Sequence, residues 1–410
     1  MTLPSPQNLL LRVLAAWLLA GGVALAAEAE TVGRSLTLPE RPGPHWFWLS
    51  DILLHRTALF DADRGEQLGQ ISSGSAGVGF VIAPLFSPDH REIYLAETYY
   101  ARGVRGERTD VVTVYDGATL RPLAEIGIPA ERAEYFPGTA ANALSDDGRF
   151  MAVFNLTPAT SLSIVDVKAR RSTAHVSTPG CSLVYAAGPR RFLMLCANGA
   201  ALTVTLDDEG AEAKLERSTP FFDPQQDPVT EKAVRRGNEW LFVSFAGVVH
   251  PVDVSAAAPR FGETWSLVDD EDRRGSWRIG GPQHLAVHAA SGRLYALMHQ
   301  GGPDTHKEPG SEVWVYDLTS RKRVQRIPVL NPLVSFIGQQ ARSGNFTRWL
   351  LTKVLPNTGV ERILVTQDEH PVLVASASLP PTVTIHDAMT GAVLREVSEP
   401  GLAASLLFTP

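Results

Sequence analysis

One short unit recurs seven times along this chain and constrains its fold more than any other feature. It is an alternating apolar strand that closes on an aspartate: TALFD ending at Asp61, VTVYD at Asp116, LSIVD at Asp166, TVTLD at Asp207, VHPVD at Asp253, VWVYD at Asp317 and VTIHD at Asp387. Period-two alternation describes a half-buried strand, and an Asp at its end accepts backbone N–H groups in the turn that follows. Most copies run on into a second strand, as Asp387-Ala-Met-Thr-Gly391 leads into residues 393–397.

A second signature alternates with the first: a polar turn that enters a short apolar strand. It reads SPDHREIYL from Ser87, SDDGRFMAV from Ser145, GPRRFLML from Gly188, RGNEWLFV from Arg236, SGRLYAL from Ser291 and QDEHPVLV from Gln367. The stretch from Arg41 through His45 to Leu49 is a seventh copy. Asp61 to Asp387 spans 326 residues in six intervals, or about 54 per repeat, near the kelch period. Four short strands per unit, repeated radially, make a β-propeller blade. The reading is therefore all-β, a seven-bladed β-propeller forming one domain over residues 27–410, with a β-sandwich pair as the alternative. No helical periodicity competes. The intervals stretch only late in the chain, where Val334 to Glu361 reads as a long inserted loop that either covers part of a face or contacts a partner.

Residues 1–26 read as a secretory signal peptide. Leu9 to Ala26 is apolar apart from Arg12 and ends in Ala24-Leu25-Ala26, a small-x-small cleavage pattern, against the alternative of an uncleaved anchor. Beyond it no stretch is long enough to span a bilayer. The net charge of −7 becomes −8 after cleavage, which argues against nucleic acid as a partner. The expectation is an exported chain with no membrane attachment after cleavage.

Few residues point to chemistry. His284 and His288 are four apart in a reading strand, about 13 Å at ~3.3 Å per residue, too far to share a metal. No haem-attachment, nucleophile-elbow or phosphate-cradling motif occurs, so no catalytic and no metal-binding residue is assigned in this chain. Cys181 and Cys196, the two cysteines, fall at the ends of what read as adjacent antiparallel strands. In an exported protein they read as a disulfide, with redox catalysis as the sharper alternative. Gly74 to Pro84, with Phe80 at its centre, reads either as a flexible blade connection or as a loop presenting an apolar side chain at the propeller mouth.

Three segments here carry a family likeness: Gly77-Val-Gly-Phe80, the run from Glu97 to Asp110 with its Arg105-Gly-Glu-Arg-Thr-Asp110 core, and Val114-Tyr-Asp116. They resemble the large (heavy) subunit of quinoprotein amine dehydrogenases, the methylamine and aromatic amine dehydrogenase family. Further similar segments follow in order: the Cys181/Cys196 pair, Ser276 to Gln283, His306-Lys307, Gln367-Asp-Glu and Thr384 to Gly391. The likeness is poorest around Val334 to Glu361. The resemblance implies a periplasmic heterotetramer of two large and two small (light) subunits. It places the cofactor, tryptophan tryptophylquinone, on the small subunit and none in this chain. It makes Phe80 a wall of the substrate channel. The implied reaction oxidises a primary amine to aldehyde and ammonia, with electrons leaving to a small copper protein of the amicyanin or azurin type. Two rivals remain: a non-catalytic propeller scaffold, and a self-contained propeller hydrolase or lactonase.

Overall fold

The computed structural model describes residues 37–72, 83–134, 138–397 and 399–410. The signal-peptide assignment, residues 1–26, and Phe80 lie outside them. From Leu38 onward the chain builds seven antiparallel sheets, one per blade. We name the strands of each blade A to D from the channel outward.

Blade 1 is built from both ends of the chain. Its strands B to D are Trp46–Asp51, Arg56–Asp61 and Glu66–Ser72, and its strand A is the C-terminal Ala404–Phe408. Trp48 lies opposite Phe408 and Leu49 opposite Leu407, so backbone pairing closes the ring. Blade 2 comprises Leu85–Phe86, Glu92–Tyr100, Arg108–Asp116 and Pro122–Ile128. Blade 3 comprises Asn142–Leu144, Phe150–Asn155, Ser161–Asp166 and Arg171–Ser177. Blade 4 comprises Cys181–Ala186, Arg191–Cys196, Ala201–Leu206 and Ala213–Arg217. Blade 5 has Val234–Arg236, Glu239–Val243 and Val248–Asp253, with a broken outer strand, Arg260–Phe261 and Trp265–Ser266. Blade 6 has Leu285–His288, preceded by Trp277–Ile279 on the same edge, then Arg293–Gln300, Glu312–Asp317 and Lys322–Pro328. Blade 7 has Arg362–Val365, Val372–Ser378, Pro381–Asp387 and Val393–Val397.

The repeated aspartates close strand C in every blade; in blade 4 Asp207 follows the strand directly. Each carboxylate caps the turn to strand D, as Asp61 does toward Asp63 N (2.8 Å), Asp317 toward Ser320 N (2.7 Å) and Asp387 toward Thr390 N (2.7 Å). The second signature marks the A–B turns. Ser87 and Ser145 accept from the amides of Glu92 (3.0 Å) and Phe150 (2.9 Å) at the entry to strand B.

Half-burial of strand C is corrected by the structure. Its polar alternates Thr113, Ser163, Thr203 and Thr384 are buried like their apolar neighbours. The cause is the ring: apolar clusters fill every seam between adjacent blades, so central strands are covered on both faces. Each fully buried Phe or Leu in those seams is worth about 1.5–3 kcal/mol relative to exposure.

The inserted segment is also corrected. The stretch read as a loop between blades 6 and 7 is a helical hairpin, α2 (Pro332–Gln340) and α3 (Asn345–Val354), after a single short turn of helix, α1 (Asp270–Arg274), further upstream. Asn331 caps α2, accepting from Leu333 N (3.1 Å), and Pro332 occupies its first turn, where a missing N–H costs nothing.

Candidate functional site

Antiparallel alternation sends all A–B and C–D turns to one end of the propeller, the turn face. All B–C and D–A connections go to the other, the loop face. Exposed large apolar side chains in the connections separate the same way. Among the described residues, Leu53, Leu54, Val104, Leu156, Leu379 and Leu402 lie in loop-face connections, as do Phe346, Trp349, Leu350 and Val354 of the D–A insertion between blades 6 and 7, whereas Met389 alone lies in a turn-face connection. Leu379, at the tip of the blade 7 B–C turn, is 80% exposed. On the loop face these side chains fall in connections of neighbouring blades, 7, 1, 2 and 3.

The Arg105–Asp110 motif sits at this end of blade 2 and has a structural role. Asp110, fully buried, accepts from Arg108 Nε (2.8 Å) and Nη2 (2.7 Å), Thr98 Oγ1 (2.9 Å) and Arg132 N (3.0 Å). Arg132, also buried, donates from Nε to Thr98 Oγ1 (2.9 Å), and Arg108 donates to its carbonyl (2.8 Å). The hairpin motif thereby pins the D–A connection from blade 2 to blade 3. Tyr100 adds a bond from its hydroxyl to Glu134 (2.8 Å). Thr139, a few residues on, reaches the central channel.

The channel holds a cavity of about 360 Å³, lined by Thr139, Lys232, Trp240, Gln283, Leu364 and Leu406 among others. That volume suits a small organic molecule. At its loop-face end Lys232 is buried and ion-paired with Glu231, whose backbone carbonyl accepts from the Tyr185 hydroxyl (2.9 Å). Burial works against the charge on Lys232, and the Glu231 carboxylate opposes that; Lys232 in turn holds Glu231 ionised despite its own burial. His284 next to them bonds Gly281 O through Nδ1 (2.8 Å) and Thr230 Oγ1 through Nε2 (3.1 Å). Burial first, and the Lys232 charge second, push its pKa down to about 3, so it is neutral. His306 stacks on Phe245 at 3.6 Å, and burial together with Lys232 and Lys307 lowers its pKa.

Gln283 shows why the segment from Ser276 carries a signature. Its side-chain amide donates to Leu407 O (2.9 Å) and accepts from Leu407 N (2.9 Å), and its backbone carbonyl accepts from Ile363 N (3.0 Å). One residue thus knits the inner strands of blades 6, 7 and 1. Cys181 and Cys196 face each other across strands A and B of blade 4 and form a disulfide, with Cα atoms 3.9 Å apart. His284 and His288 are not brought together on one ligand: His288 bonds Ser291 Oγ (2.8 Å) and Asp368 O (2.9 Å) instead, and the strand begins at Leu285. Sequence reasoning passed over Arg132, whose partners lie on another element, and Lys232, which pairs with its neighbour Glu231; Gln283 entered only as the end of a segment of family likeness.

With this geometry in place, the likeness to known proteins is specific. Residues 54–346 match the methylamine dehydrogenase heavy chain (MADH) family. The chain belongs to that family. The heavy chain of Paracoccus versutus is 26% identical over 354 residues, covering 86% of this chain and 75% of that one. The heavy chain of Methylophilus methylotrophus is 25% identical over 415 residues, covering 97% and 94%. Among solved structures, the periplasmic gluconolactonase of Pseudomonas aeruginosa superposes with a TM-score of 0.57 at 14% identity, covering 88% of this chain and 98% of that one. Dihydro-heme d1 dehydrogenase NirN does so at 0.53 and 17%, covering 90% and 77%. At such identities these two carry the propeller fold alone. The match to the family model ends at Phe346, the second residue of α3.

Proposed function

We propose that this chain is the large subunit of a periplasmic amine dehydrogenase, in which it seats a quinone-bearing small subunit on its loop face and shapes the path of a primary amine to the quinone. The observation that carries this reading, beside family membership, is the segregation of exposed apolar side chains to that face. Tryptophan tryptophylquinone would supply the electrophilic carbonyl that takes up the amine, and it needs two joined tryptophans. Trp277 and Trp314 of this chain approach to 5.1 Å, but Arg326 lies over both rings and Trp314 is fully buried in the seam beside blade 5. That environment suits packing, not a substrate-facing quinone, and supports assigning the group to the partner. This chain's contribution is then orientation and exclusion of water. The Asp110–Arg108–Arg132 network holds the blade 2–3 connection, and the Glu231–Lys232 pair sets the charge at the channel end. Phe80 is proposed as a channel wall, and a small copper protein as the electron acceptor.

Co-purification tests the proposal. The mature chain, expressed with a small, Cys-rich, exported candidate partner, is expected to give a complex with quinone absorbance and amine-dependent reduction of a dye. The chain alone is expected to give neither. Amine turnover by the isolated chain would overturn the reading. The hydrolase alternative rests on shared fold only.

A further inference from the structure

Helix α3 carries its apolar stripe on the wrong side for a surface helix, which ordinarily turns such a stripe to the core. Phe346, Trp349, Leu350 and Val354 recur at i, i+3, i+4 and i+8, and all are exposed: Phe346 by 74% and Val354 by 73%. None of the ten residues of α3 is buried. The hairpin is nevertheless anchored. Helix α2 packs on strand C of blade 7, and Glu396 of strand D accepts from Ser335 Oγ (2.8 Å), Gln339 Nε2 (2.9 Å) and Arg348. Arg348 and half-buried Leu351 face inward, so the outward stripe is fixed in place.

Charge identifies what this stripe suits. From Leu318 to Val360 the chain has no Asp or Glu and seven Lys or Arg, in a protein of net charge −7. Arg321, Arg323, Arg326 and Arg348 pair with carboxylates from outside this stretch, while Lys322, Arg342 and Lys353 are exposed, the last two on the hairpin. Lys353 stands within the apolar stripe, its Nζ 6.0 Å from the Trp349 ring centroid. At the centre of a protein interface such a lysine would be desolvated without a local carboxylate, a costly arrangement. At a bilayer surface its stem lies along the apolar side chains while the ammonium reaches anionic headgroups. A second copy of this chain would bring one basic hairpin against another. We infer that α3 is an interfacial anchor that lays the propeller on an anionic phospholipid surface. Ten residues span about 15 Å, half the hydrocarbon core, so the helix lies on the membrane and does not cross it. In keeping, no helix of the described residues is long and apolar enough to cross. This inference does not rest on the amine dehydrogenase reading, and it departs from the sequence-based expectation of no membrane attachment. Because the hairpin is a D–A connection, at the same end as the proposed small-subunit seat, the test separates the two occupants.

Flotation of the mature full chain with vesicles is the test, comparing phosphatidylcholine alone with equal parts phosphatidylcholine and phosphatidylglycerol. Phosphatidylglycerol is expected to raise the bound fraction on the order of tenfold at low salt, with most of the gain lost at high salt. The double substitution Phe346→Ser, Trp349→Ser and, separately, Lys353→Glu are expected to abolish that gain while leaving the unfolding midpoint unchanged. Three outcomes would overturn the inference: no flotation, flotation indifferent to these substitutions, or substitutions that instead disperse a dimer or release a co-purifying small chain.

Discussion

The two faces of this propeller are held by different kinds of interaction. On the turn face, seven aspartates do the same small thing seven times, each capping its own C–D turn with one to three local bonds. On the loop face several connections are longer, and three of them are fixed by devices of their own. Asp110 with Arg108 and Arg132 pins one, the Cys181–Cys196 bridge another, and Gln283 a third. A repeated local cap can be replaced or lost singly at little cost. A long-range anchor cannot, and it frees the surrounding loop residues to expose Leu379, Leu402 and Val104 for binding.

Substitutions can break that contrast, and the largest effect is expected at Asp110. Asp110→Ala leaves Arg108 and the amide of Arg132 without their buried carboxylate and should destabilise the fold by about 3–5 kcal/mol in denaturant unfolding. A loss under 1 kcal/mol would remove the pinning role. Replacing both cysteines, Cys181→Ala with Cys196→Ala, should cost roughly 3 kcal/mol for a loop of 15 residues. Reducing agent should lower the wild-type stability to match. On the turn face, Asp387→Ala removes acceptors for Met389 N, Thr390 N and Thr390 Oγ1 and should cost only about 1 kcal/mol. A value equal to that of Asp110 would erase the distinction.

The smallest effect is a pH dependence at the seam between the first and last blades. His45 bonds Asp63 (2.7 Å) through Nδ1 and Asp368 (3.1 Å) through Nε2. Burial lowers its pKa, but the two carboxylates outweigh burial and raise it above the ordinary 6.5. Its stabilising contribution is therefore complete below 6.5 and fades as pH rises through the higher folded value. The stability difference between wild type and His45→Gln should shrink on going from pH 6 to pH 9. A difference that grows with pH would contradict the pairing.

This division also explains which parts of the molecule could be read from sequence. The turn face was legible because its caps are local: an Asp and the amides it bonds are within four residues, so the motif repeats visibly. The disulfide was legible because its cysteines sit on neighbouring strands. The closing strand, Ala404–Phe408, was not, because its partner Trp46–Asp51 is at the other end of the chain. Arg132 reads as an ordinary surface arginine until folding brings Asp110 to it across 22 residues. The hairpin reads as a loop in the sequence although Asn331-Pro332 is a helix start and the apolar spacing in α3 is helical; a stripe facing solvent gives no core to predict from. The channel role of Phe80 came from resemblance and falls outside the described residues.

Hydrogen exchange across the complex with the small subunit tests the central claim most directly. The account predicts new protection of loop-face backbone around Val104, Leu156, Leu379 and Leu402, with the C–D turns at Asp61, Asp317 and Asp387 exchanging as in the free chain. Protection confined to those C–D turns, with the loop face unchanged, would contradict it.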